Sequence, residues 1–139
     1  MKQIFFDTWG WVAIAHKDDN HHGEVLSFYK SYLLKKGIPL TTDYVLAETV
    51  TLLRAKTHGV GLFLDTLLEA ARAGRIMIER IQEARWEKAW ALSKKYGDKS
   101  AVSFVDFSSF IVMKERGIAE ALTADKHFHE VGLGFKKLF

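Results

Sequence analysis

Short apolar runs and longer helical stretches alternate along this chain from end to end, and few folds accept that order. Residues 3–6 carry Ile4, Phe5 and Phe6 in succession and read as a short buried strand, closed at once by Asp7. Further strand candidates are residues 40–42, the alternating Ile76, Ile78 and Ile81, residues 121–124, and a segment within 134–139. The intervening stretches carry apolar residues at helical spacing. In the fourth of them, Val60, Phe63, Leu64, Leu67, Leu68 and Ala71 follow the i, i+3, i+4 rhythm. Strands alternating with helices give an α/β fold with a mainly parallel central sheet flanked by helices. At 139 residues the chain is expected to form one domain, residues 1–139.

The helix ends are legible as well. Helices are expected over residues 9–15, over 22–36 with Gly37 as the stop, and over 44–57 with Thr42 or Asp43 as the cap. Another runs from Val60 to Gly74, and one over 82–96 is followed by Gly97. Ser103 and Asp106 have the spacing of a capping box before a helix that Gly117 ends, with Lys114 and Arg116 at its negative pole. In that fold class, ligands bind beyond the carboxyl ends of the strands. Asp7 and Asp125 both stand there.

Four acids carry the functional reading: Asp7, Glu48, Asp106 and Asp125. Each closes an apolar strand or interrupts an apolar helical stretch, where a carboxylate is costly unless it is paired or binds a cation. Asp7 reads equally as a helix cap and as a ligand. Asp106 reads as part of the capping box, which does not prevent it from facing a cleft. Glu48 lies too far into its helix to cap it, within Val45-Leu46-Ala47-Glu48-Thr49-Val50, and reads as a ligand or, as the alternative, an exposed acid on the polar side. Asp125 repeats the placement of Asp7 at a strand's end. A shared pocket of such acids would attract Mg²⁺ or Mn²⁺, hard cations that prefer oxygen. Without a cation the acids would repel one another, and some would hold protons.

The chain has no cysteine, which excludes disulfides and thiolate metal sites and suits a reducing cytoplasm, the expected location. Asp7 interrupts the N-terminal apolar run before it could form a secretory core. The uncharged run 8–15 is too short to cross a bilayer, so no membrane partner is expected. The net charge is +3, and gathering four acids into one cleft leaves the remaining surface more basic, which suits a polyanionic ligand. Trp9 and Trp11 are expected to pack in the core, with stacking on a nucleic-acid base as their second reading. So are Trp86 and Trp90, with a subunit interface as their second reading. His127-Phe128-His129 reads as strand or loop beside Asp125, its histidines packing or facing solvent, with a histidine-containing transition-metal site as the alternative. Arg54, Lys56, Lys94, Lys95 and Lys99 read as solvated surface cations that could meet phosphates.

In order and spacing, these segments resemble the PIN-domain ribonucleases, in particular the VapC-type toxins of toxin–antitoxin modules. The resemblance begins at Ile4-Phe5-Phe6-Asp7-Thr8 and continues through Val45-Leu46-Ala47-Glu48. It then runs through Tyr96-Gly97-Asp98-Lys99 and Ser103-Phe104-Val105-Asp106-Phe107-Ser108-Ser109-Phe110, and closes with Ala121-Leu122-Thr123-Ala124-Asp125-Lys126-His127-Phe128. It implies a single PIN-like domain and a Mg²⁺- or Mn²⁺-dependent endoribonuclease. Asp7, Glu48, Asp106 and Asp125 would form the acidic site, and the hydroxyls of Thr8 and Thr123 would orient a carboxylate or a water. The implied partners are an RNA substrate, a cognate antitoxin and a second copy of the chain. Trp9 departs from the small residue often found after the first Asp-Ser/Thr pair. The alternative function is a non-catalytic RNA- or protein-binding module that retains the fold. A phosphotransferase of the haloacid-dehalogenase type would need an acid two positions after Asp7, where Trp9 stands.

Overall fold

The computed structural model describes residues 2–139, and among them it contains five strands and seven helices. The strands are β1 (Ile4–Phe6), β2 (Leu40–Thr42), β3 (Met77–Glu79), β4 (Glu120–Leu122) and β5 (Lys136–Lys137). They form one sheet in the order β3-β2-β1-β4-β5, and every neighbouring pair is parallel. The helices are α1 (Thr8–Ala15), α2 (His22–Leu34), α3 (Asp43–Lys56), α4 (Val60–Arg72), α5 (Glu83–Lys95), α6 (Phe104–Arg116) and α7 (His127–Glu130).

The most apolar strand lies at the centre. Phe5 and Phe6 of β1 are fully buried, as a strand covered on both faces requires. From β1 the chain builds outward to β2 and β3 on one side, then crosses back to β4 and β5 on the other. The carboxyl ends of β1 and β4 therefore flank the point where the strand order reverses, the crevice in which open α/β sheets bind ligands. Beneath it, Phe110 of α6 meets Phe128 edge-on at 5.0 Å, and Trp11 of α1 is fully buried beside Phe6 at 4.9 Å.

Several boundaries differ from the sequence reading for identifiable reasons. Strand β4 stops at Leu122 because the Thr123 N–H turns back to the Ala121 carbonyl at 3.0 Å. Helix α2 ends at Leu34, and the left-handed residue after it is Lys36 (φ 63°) rather than Gly37. Gly37 is needed for space: a Cβ there would stand 2.5 Å from the Tyr32 ring. The box of Ser103 and Asp106 does begin α6, and left-handed Gly117 (φ 65°) ends it. Trp11 is core, whereas Trp86 and Trp90 are 43% and 51% exposed and do not pack there. His127-Phe128-His129 forms most of α7, not a strand or loop. Among the described residues, no helix is long and apolar enough to cross a membrane.

Helix α1 lies directly on β4 at Gly10. A Cβ at that position would come within 2.7 Å of the Leu122 carbonyl oxygen and 2.9 Å of its Cγ. In an open helix, Gly→Ala stabilises by about 1 kcal/mol. Here overpacking reverses the sign, and Gly10→Ala is expected to lower stability by about 1–3 kcal/mol in urea denaturation. A more stable variant would contradict this close helix–strand contact.

Candidate metal centre

Asp7 ends β1 and occupies the N-cap position of α1, but its side chain makes no capping bond among the described residues. Its carboxylate instead accepts a hydrogen bond from the Thr123 hydroxyl at 2.9 Å and is almost wholly buried. The strand end is fixed from behind by a relay in which the Trp11 indole N–H donates to the Thr41 hydroxyl (3.1 Å). That hydroxyl in turn donates to the Phe6 carbonyl (3.0 Å). Trp11 therefore serves as both a core filler and a brace for the residue before Asp7.

The other acids arrive on separate elements. The Asp106 N–H donates to Ser103 Oγ at 3.0 Å, and Asp106 Oδ2 accepts from the Ser103 N–H at 3.2 Å. This reciprocal cap also fixes a buried carboxylate at the mouth of α6. Glu48 sits half-buried on α3, the helix that Thr42 caps through the Val45 N–H at 3.0 Å. Asp43, beside that cap, accepts the Ile81 N–H at 2.9 Å and ties α3 to the end of β3. The Asp125 N–H donates to the Thr123 hydroxyl at 3.0 Å. Thr123 thus links Asp7 and Asp125 through one oxygen. The Thr8 hydroxyl faces the Val45 carbonyl at 3.5 Å.

Asp7, Glu48, Asp106 and Asp125 line one cleft of about 500 Å³, together with Thr8, Trp9, Ser103, His127 and, at the rim, exposed Lys56. Burial pushes the Asp7 carboxyl up to about 7. The nearby Asp106 adds to this, the Thr123 hydroxyl and Thr8 backbone relieve part of it, and Asp125 raises it further. Burial, followed by repulsion from Asp125, raises Asp106 to about 6. The Ser103 backbone and His127 work against this rise, and Glu48 adds to it. All four acids are therefore electrostatically coupled. Buried hard oxygens that cannot all ionise without a counter-charge fit a divalent cation.

The tightest group of donor atoms comprises Asp106, Asp125 and His127, each within 4.8 Å of the others. Asp7 and Glu48 line the same cleft outside that group. The sequence favours packing or solvent exposure for His127 over a role at a metal site. Its only sequence signal is its place two residues after Asp125, and the turn of α7 carries its ring into the cleft while His129 stays exposed.

The family model described as PIN domain matches residues 4–133. The chain belongs to the PIN domain family. This PIN domain is 31% identical over 135 residues to the 23S rRNA-specific endonuclease VapC20 of Mycobacterium tuberculosis, a match spanning 93% of the chain and 94% of the relative. Among solved structures, it is similar to M. tuberculosis VapC20, described as a sarcin-ricin loop cleaving toxin, with a TM-score of 0.74 and 30% identity over 93% of this chain and 95% of that one. It shares its fold with VapBC2 of Rickettsia felis bound to a promoter DNA fragment, at a TM-score of 0.70 and 16% identity over 97% and 98% of the two chains.

The coupled acids give this PIN domain a characteristic pH response. Folded Asp7 holds its proton up to about pH 7, whereas the ordinary carboxyl value is 3.8. Between those values the folded state binds more protons than the unfolded state, so stability falls as pH rises. Asp106 acts in the same direction. In chelator, the Tm is therefore expected to be higher at about pH 5 than at about pH 7.5, and Mn²⁺ should raise it more at the higher pH, where protons no longer compete. A metal-free Tm that climbs across this range would contradict the burial of these acids.

Proposed function

We propose that this chain is a Mg²⁺- or Mn²⁺-dependent endoribonuclease that hydrolyses RNA phosphodiester bonds and acts as the toxin of a toxin–antitoxin pair. The observation that carries this reading is the convergence of four acids from separate segments on one cleft, two of them buried enough to keep protons near neutrality. The names of its VapC20 relative, a 23S rRNA-specific endonuclease and sarcin-ricin loop cleaving toxin, support RNA as the substrate.

In this reading Asp7, Glu48, Asp106 and Asp125 hold the cation, and Thr123 keeps Asp7 and Asp125 in register. An ion held there would supply counter-charge for the scissile phosphate and lower the pKa of an attacking water. Ser103 holds Asp106 still, so that little reorganisation is needed when charge develops. Lys56 at the rim attracts the polyanion, and Trp9 forms an apolar wall against which a base could stack. The oxygen-rich site suits either ion.

The likeness to VapBC2 of Rickettsia felis supports an antitoxin as the protein partner. Exposed Trp86 and Trp90 are large apolar groups of the kind that interfaces bury, and they support a homodimer. The cysteine-free composition supports a cytoplasmic setting.

The test is cleavage of a structured RNA by the purified chain, with Mn²⁺ and with chelator. Cleavage is expected with the ion alone. Asp7→Asn is expected to lower it by roughly 100-fold or more. The same variant should raise the metal-free Tm at neutral pH, because it removes a buried group that must otherwise ionise. Metal and RNA binding without cleavage would favour a non-catalytic module. Full cleavage by Asp7→Asn would remove the acidic cleft from the reaction.

A further inference from the structure

We propose that His127 supplies a nitrogen ligand to the acidic cleft and turns its preference from Mg²⁺ toward Mn²⁺ and the later first-row divalent ions. This rests on the metal centre proposed above but concerns a residue outside its acidic quartet.

The His127 Nδ1 atom lies 3.0 Å from Asp125 Oδ1 and 3.7 Å from Asp106 Oδ2. Donors bonded to one ion at about 2.0–2.3 Å stand roughly 3–4.5 Å apart, and these separations fall in that range. The atom is buried, yet it makes no hydrogen bond among the described residues, although it stands at ion-pair distance from the Asp125 carboxylate oxygen. That oxygen already accepts the His127 backbone N–H at 2.9 Å, so the turn is closed without the ring. A buried nitrogen left without a partner is costly, and such groups in folded proteins usually mark a water, an ion or a chemical role.

The backbone that carries the ring is anchored. Phe128, the next residue, is fully buried against Phe110, which fixes the rotation of α7 and leaves His127 facing Asp106 and Asp125. Ligation through Nδ1 uses the neutral ring with its proton on Nε2. The choice of ion follows from donor chemistry. A site of carboxylates alone suits hard Mg²⁺, whereas an added imidazole favours Mn²⁺, Co²⁺ or Zn²⁺, which accept nitrogen.

The experiment is metal titration of the full chain, stripped of ions, by calorimetry with Mn²⁺ and separately with Mg²⁺. Wild type is compared with His127→Ala and with His127→Gln, which keeps bulk and polarity. Both variants are expected to bind Mn²⁺ about 10-fold or more weakly, while Mg²⁺ affinity shifts by less than about threefold. Pulsed electron paramagnetic resonance of the Mn²⁺-loaded wild type should show coupling to a directly bound imidazole nitrogen, absent in both variants. Mn²⁺ bound in the cleft without nitrogen coupling, or equal weakening of both ions, would overturn the role of His127 and leave the carboxylate site standing. No binding of either ion by wild type would overturn both.

Discussion

Like charges converge at the carboxyl ends of β1 and β4, and much of the surrounding structure keeps them there. Asp7 is buried within the field of Asp106 and Asp125, and Asp106 within that of Asp125 and Glu48, and burial holds their protons to about pH 7 and about pH 6. Such a cluster works against folding as soon as its members ionise. The chain offsets this with a fully buried aromatic strand beneath the cluster and with hydroxyl and amide donors on each acid. The cluster thus stores an unfavourable interaction that a divalent cation would relieve.

The devices that position the acids are also ordinary folding devices. The cap on α6 satisfies helix N–H groups and fixes Asp106 in the same pair of bonds. Thr123 directly follows β4, and its hydroxyl joins Asp7 to Asp125. The Trp11–Thr41–Phe6 relay holds β1 and β2 together at the residue before Asp7. Mutations in these supports should therefore affect folding and site geometry together.

The strand–helix alternation, the capping box and the four acids were all legible in the sequence, because each depends on local pattern: period, cap spacing, or an acid closing an apolar run. Features set by contacts distant in sequence were not. Whether Asp7 caps α1 or faces the cleft depends on Thr123, 116 positions away. The end of β4 depends on a turn that propensity does not signal. Trp86 and Trp90 form a stripe at helical spacing, but periodicity does not say whether a stripe is covered, and this one is half-exposed. The stripe on α4 is similar, with Leu67 alone buried among its residues. His127 lies in a helix of four residues, too short for any periodic signal, so its direction could not be read from its neighbours.

A cleft lined by coupled, partly protonated acids makes a specific demand on what fills it: a compact positive charge reached by oxygens from several segments at once. The most direct measurement is the anomalous scattering of Mn²⁺ in crystals of this chain at neutral pH. The account predicts a peak inside the cleft, about 2.2 Å from oxygens of Asp106 and at least one other of the four acids. Peaks confined to the outer surface, with the cleft empty at saturating Mn²⁺, would contradict it.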